Sequence, residues 1–208
     1  MALKKPGDSA ALRPIEMREY PRDLDGLVAQ LSDADSGRRR WAARDLAQYP
    51  AAAAAVCARL AIETDASVRT VLFSSAARLG SPEVVQAMVQ LLRSEEPGLR
   101  NGAIEVLAGL PAEVAPLIER LLQDTDSDVR IFTVNLLGEL RHPQVPRWLD
   151  QVLLHDPEVN VVGAALEVLS EVGGTENLAA LREVRRRFAG DAYIDFSAGL
   201  ALERIEAA

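Results

Sequence analysis

Asp65-Ala-Ser-Val-Arg69, Glu96-Pro-Gly-Leu-Arg100 and Asp126-Ser-Asp-Val-Arg130 are three versions of one pentapeptide, and residues 35–39, 158–162 and 191–195 fall into the same frame. The fifth positions are 39, 69, 100, 130, 162 and 195, separated by 30, 31, 30, 32 and 33 residues. That spacing is too regular for chance and lies in the range of two-helix solenoid units.

Outward from each pentapeptide the chain keeps a helical apolar period. Seven places past the fifth position stand Leu46, Ala76, Leu107, Leu137, Leu169 and Leu202. Ten places past it stand Tyr49, Leu79, Leu110, Leu140, Val172 and Ile205. One helical face is therefore apolar in every copy. Breaks follow at Pro50, Gly80-Ser-Pro82, Pro111, Arg141-His-Pro143 and Gly173-Gly-Thr175, where Pro and Gly stop one helix before the next begins. Partner helices are predicted over 23–31, 52–62, 83–92, 112–122, 145–154 and 176–188. The prediction is an all-α, right-handed α-solenoid of about six helical hairpins, a single repeat domain over 21–206. Its units run about 21–49, 50–79, 80–110, 111–140, 141–172 and 173–206. Residues 1–20 form an N-terminal extension in which Pro6-Gly7-Asp8-Ser9 reads as a flexible start and 12–20 as a short capping helix.

The pattern of D-x-x-V-R, apolar period, Gly/Pro break and second helix in Asp65 to Arg69 and Asp126 to Arg130 resembles the HEAT repeat family, in particular the short bacterial HEAT-like repeats of the phycobilisome-lyase type. The resemblance covers about 21–206. It implies a superhelix of stacked hairpins, used by most family members as an interaction scaffold and by a minority as an enzyme. It also raises chromophore attachment or chaperoning as an alternative function. A HEAT-like DNA-repair protein is a weaker alternative.

Composition agrees with stacked helices. Aromatic residues make up 4% of the chain against 49% hydrophobic, so the core rests on small aliphatic side chains that enter helices at little cost. A formal charge of -8 opposes sequence-independent binding to nucleic acid or to an anionic membrane. Cys57 is the single cysteine, no apolar run reaches the length of a membrane span, and residues 1–20 lack the apolar stretch of a signal peptide, so a cytoplasmic location is expected. His142 and His155 are the only histidines and supply no metal-ligand set with Cys57. Asp124, Asp126 and Asp128 alternate as in a calcium loop, but the glycine and the closing glutamate of such a loop are missing. Nucleophile-elbow and phosphate-loop motifs are absent, as are the repeated His-Glu pairs of HEAT-repeat hydroxylases. No catalytic site, metal or cofactor is expected.

Two roles are expected of the repeated charges. The acidic residue stands where the second helix of each hairpin begins, so its carboxylate should cap free N–H groups of the first turn. An arginine four places on opposes the helix dipole and needs a carboxylate partner. Asp35, Arg39, Asp65, Arg69, Glu96, Arg100, Asp126 and Arg130 are therefore expected to form a ladder between repeats, ending where Val162 and Asp195 replace arginine. Beyond it the last two hairpins should be joined by apolar packing alone.

Function is sought in residues that do not repeat. Positions one, five and nine past the fifth place share a face away from the core. They include Arg40 and Arg44, then Ser74 and Arg78, then Asn101 and Glu105, then Asn135 and Glu139, then Glu167, passing from basic through polar to acidic. Trp41 and Phe132, one residue further on, are candidate aromatic anchors. The expected partner is another protein, bound in this groove. Arg182, Arg185, Arg186 and Arg187 read as a solvated helix end, and the apolar C-terminal helix could pair two copies of a chain otherwise monomeric.

Overall fold

The computed structural model describes residues 20–207. The extension expected at 1–20, with its short helix, lies outside the described residues apart from Tyr20. The described chain is built of helices paired as hairpins. These are α1 (Leu24–Gln30) with α2 (Ser36–Leu46), α3 (Ala53–Ile62) with α4 (Ala66–Leu79), and α5 (Pro82–Leu91) with α6 (Pro97–Ala108). Then come α7 (Pro111–Leu121) with α8 (Ser127–Glu139), α9 (Val145–His155) with α10 (Val159–Val172), and α11 (Leu178–Arg187) with α12 (Ala192–Ala207). Short 3-10 turns at Pro50–Ala52 and Thr175–Asn177 lead into α3 and α11.

The helices stop where backbone chemistry demands. Gly80 ends α4 at φ 53°, a left-handed conformation that other residues adopt at a cost. Proline opens α5, α6 and α7 at a position where the missing N–H has no partner to lose.

Each even-numbered helix packs on the next, α2 on α4 through to α10 on α12, so the solenoid buries one continuous aliphatic core. All six positions seven places past the anchors, Leu46, Ala76, Leu107, Leu137, Leu169 and Leu202, are buried. Ten places past the anchors the cover is thinner: Tyr49, Leu79 and Leu110 are half-buried and Val172 is exposed at the end of α10. Gly102 lets α6 approach α4, since a Cβ there would stand 2.4 Å from the Phe73 ring. Gly163 does the same for Tyr193, whose ring lies 2.6 Å from the position of a Cβ.

Candidate functional site

The repeated charges are consumed by the seams between repeats, through a register that differs from the expected one. Asp35, Asp65, Asp126 and Asp191 each cap a helix, accepting from Arg38 N, from Ser67 and Val68 N, from Asp128 N, and from Tyr193 and Ile194 N. Glu96 and Glu158 occupy the cap position of α6 and α10 without a side-chain cap. The extra methylene carries a glutamate past the N–H groups that an aspartate reaches, and the Glu96 carboxylate is drawn to Arg69. Capping by all six acids is thus corrected to capping by the four aspartates.

The arginines find their main partners two residues before the caps. Arg39 Nη1, Arg69 Nε, Arg100 Nη1 and Arg130 Nη1 each donate to the carbonyl six residues earlier, on Asp33, Glu63, Ser94 and Asp124. The side chains at those same loop positions, with Asp156 added, accept the N–H of the anchor acid at 2.8 to 3.2 Å. Arg39 then spans to the next repeat, donating to both oxygens of Glu63 at 2.8 and 2.9 Å. Arg130 does so to Asp156 at 2.7 and 3.1 Å. Opposite Arg69 of the second repeat a serine, Ser94 of the third, stands where the acid would be, and Arg69 pairs with the cap residue Glu96 instead.

Arg100 departs from the ladder. Its guanidinium lies 4.7 Å from the Phe132 ring centroid, and among the described residues it has no carboxylate partner and its buried Nε no acceptor. Arg93 has taken Asp124. Nor do the last hairpins rest on apolar packing alone. Where Val162 stands in place of arginine, Arg187 from α11 donates to the carbonyls of Asp156 and Leu153. Asn177 reaches Asp150 at 2.8 Å, and Tyr193 donates to Glu167 at 3.1 Å. The basic run 185–187 is largely committed: Arg185 to Asp195, Arg186 to Glu183 and Arg187 to the two carbonyls.

Burial and pairing fix the charge states in the seams. Burial of Glu63 opposes its ionisation, but Arg39, the Asp65 N–H and Arg59 outweigh it and hold the carboxyl down at about 2. Glu96 is held below the usual carboxylate range by Arg69. Burial raises Asp150, against the Asn177 amide.

With the repeated charges occupied, the unrepeated residues are left outside. Arg40, Arg44, Ser74, Arg78, Asn101, Glu105, Asn135, Glu139 and Glu167 are exposed on α2, α4, α6, α8 and α10. Also in this frame, Ile131 is half-buried and Gly163 is covered by Tyr193. Arg40 reaches only the Ser67 hydroxyl, at 3.5 Å, and Arg78 has no carboxylate partner among the described residues. Arg22 and Arg44 share the carboxylate of Asp45. Trp41 is 47% exposed, whereas the second tryptophan, Trp148, is 2% exposed and stacks on His142.

Trp41 and Phe132 hold the same frame position, which faces the preceding even-numbered helix. Phe132 is covered by Arg100 from α6, while among the described residues no even-numbered helix precedes α2. A cleft of about 480 Å³ opens on the same face between α4 and α6, lined by Arg69, Thr70, Phe73, Ser74, Asn101 and Glu105 among others. The C-terminal helix on which pairing of copies was expected, α12, exposes Phe196 and Leu200. Among the described residues no group of His, Cys, Asp and Glu could hold a metal ion, and no helix is long and apolar enough to cross a membrane.

The seam roles of Asp33, Glu63, Asp124 and Asp156 lie outside the expected ladder although their signal is present in the sequence. Each stands two places before an anchor acid, in the same frame as the repeat.

Comparison with known proteins places this geometry. The model of HEAT repeats matches residues 24–108 and 114–201. A curated relative, the bilin biosynthesis protein PecE of Mastigocladus laminosus, is 36% identical over 122 residues, which cover 57% of this chain and 45% of that protein. The chain thus spans less than half the length of the relative it matches. The MAST/Orbit N-terminal domain superposes with a TM-score of 0.57 at 16% identity, over 89% of this chain and 99% of that one. The complex of CpcE and CpcF of phycocyanin lyase from Nostoc sp. PCC7120 is similar at a TM-score of 0.36 and 16% identity, over 95% of this chain and 99% of that one. With the family model spanning most of its helices, this chain belongs to the HEAT repeat family.

Proposed function

We propose that this chain is a non-catalytic interaction scaffold that holds another protein on the face of its even-numbered helices. One observation carries the reading: the charges that repeat are occupied in the seams, whereas Arg40, Arg44 and Arg78, which do not repeat, stand exposed on that face with Trp41 at its edge. Arginine and tryptophan are the side chains that most often carry binding energy at interfaces. The face turns acidic at Glu105, Glu139 and Glu167, so it favours a partner of opposite polarity and fixes its direction.

The test is retention of a partner from native extract on the immobilised chain, repeated with Arg44→Glu. Arg44 is exposed and shares Asp45 with Arg22, so the reversal leaves the core intact. Loss of the retained protein supports the reading, and equal recovery removes its main support.

The 36% identity to PecE favours a second reading, that the scaffold handles a bilin chromophore or the protein that carries one. A bilin titrated into the chain would then shift its visible absorption on binding. An unchanged spectrum at saturating protein counts against this reading and leaves the scaffold reading standing.

A further inference from the structure

We infer that the basic end of this face, together with the α4/α6 cleft, is a seat for an extended acidic peptide segment carrying one apolar side chain. The inference rests on the scaffold reading and names the chemistry of the partner.

Three observations converge. Arg40 and Arg78 are exposed with no carboxylate partner among the described residues, and Arg44 and Arg22 divide a single one, Asp45. In a chain of net charge -8 this is, among the described residues, a local excess of cation over paired carboxylate. Trp41 adds an exposed aromatic surface at the edge of the patch. The neighbouring cleft of about 480 Å³ presents Phe73, Ala77 and Val106 together with Ser74 and Asn101, whose polar groups donate to and accept from no other described residue. An extended backbone needs such donors and acceptors, and the apolar lining takes a side chain of leucine size. Gly102 forms part of this lining, because a side chain there would meet the Phe73 ring.

Glu105 stands on the far wall of the cleft, followed by Glu139 and Glu167. A long polyanion such as nucleic acid would be repelled there, whereas a peptide can change sign along its length. Packed helices lie about 8–10 Å apart and an extended chain advances about 3.3 Å per residue, so each helix corresponds to about three residues. The fitting segment has carboxylates over α2 and α4, an apolar residue about three places on, and a base opposite Glu105.

The experiment is fluorescence anisotropy of the full chain with the labelled peptide DEEGLGSKK, beside DEEGSGSKK, KKKGLGSKK and a single-stranded oligonucleotide of about twenty nucleotides. The expected result is binding of the first peptide, weakened about tenfold or more by the double reversal Arg40→Glu, Arg44→Glu, and clearly weakened by loss of the peptide leucine or by Ser74→Trp, which fills the cleft. Salt should weaken it too, because exposed pairs are screened. Should the double reversal fail to fold by circular dichroism, Arg40→Gln with Arg44→Gln replaces it. Equal affinity for the variants, tighter binding of the all-basic peptide, or tighter binding of the oligonucleotide overturns the inference. If an extract partner is lost with Arg44→Glu yet excess DEEGLGSKK does not displace it, the acidic seat is wrong and the scaffold stands. If the peptide binds as expected while Arg44→Glu leaves the extract partner retained, the scaffold assignment fails and the seat stands.

Discussion

Arg39 of the first hairpin closes its Nε and Nη2 on the two carboxylate oxygens of Glu63 in the second, at 2.8 and 2.9 Å, with Glu63 fully buried. The same carboxylate accepts from the backbone of Asp65, the cap of α4, and from Arg59. One buried acid therefore joins two repeats and shapes the loop that starts the next helix. Removing Arg39 leaves the buried carboxylate with Arg59 and backbone N–H groups only, a partial loss of pairing that costs about 1–3 kcal/mol, less than the loss of a sole partner. Arg39→Ala should lower the urea-unfolding stability by that amount, against roughly 0.5 kcal/mol or less for Arg78→Ala on the exposed face.

The depressed Glu63 carboxyl makes this seam acid-sensitive. Its ordinary value is 4.5 and its folded value about 2, so the unfolded chain takes up the proton first as pH falls. The stabilisation is complete above about pH 5 and is lost between there and about pH 2. In acid titrations monitored by circular dichroism, Glu63→Gln should start less stable at pH 7 and lose less on acidification than the native chain.

The two later arginines should differ although they hold equivalent positions. Arg130 forms a bidentate pair with buried Asp156, whereas Arg100 has a carbonyl, the Phe132 ring and a buried Nε with no acceptor. Arg130→Leu should cost about 3–5 kcal/mol, and Arg100→Leu less than about 1 kcal/mol. Denaturant melts of the two variants measure the difference, and equal losses would contradict the assignment of partners.

These contrasts show what the sequence made legible. The period of 30 to 33 residues and the buried position seven places past each anchor located the hairpins, because apolar periodicity reports directly on which helix face is covered. Asp and Glu carry the same charge at the anchor and are indistinguishable as caps by frame alone, but Glu96 and Glu158 show that side-chain length separates them. The pentapeptide ends on its own acid and arginine, and so points to the caps as the ladder, while the working acids lie two places outside it. Arg187 standing in for the missing arginine at Val162 was not legible, since it comes from another helix 25 residues away in the chain. Exposure of Trp41 follows from its position: among the described residues no even-numbered helix precedes α2 to cover that frame position as α6 covers Phe132.

Close approach of α4 and α6 should depend on Gly102. A Cβ there meets the Phe73 ring at 2.4 Å, so Gly102→Ala forces the ring to move and should cost about 1–3 kcal/mol. Phe73→Leu should relieve part of that cost, giving a favourable coupling in a double-mutant cycle measured by urea unfolding.

A core position shared by all repeats gives the reference scale for these effects. Leu107 is fully buried in α6, and Leu107→Ala should lose about 2–5 kcal/mol with no change in partner binding per folded molecule.

The central claim is that the repeated charges hold the stack while the unrepeated residues of the even-numbered helices choose the partner. Hydrogen–deuterium exchange of the chain with and without its retained partner tests this most directly. Protection concentrated in α2, α4 and α6, with α3, α5 and α7 unchanged, is the predicted result. Protection confined to α3, α5 and α7, with α2, α4 and α6 unchanged, would contradict it.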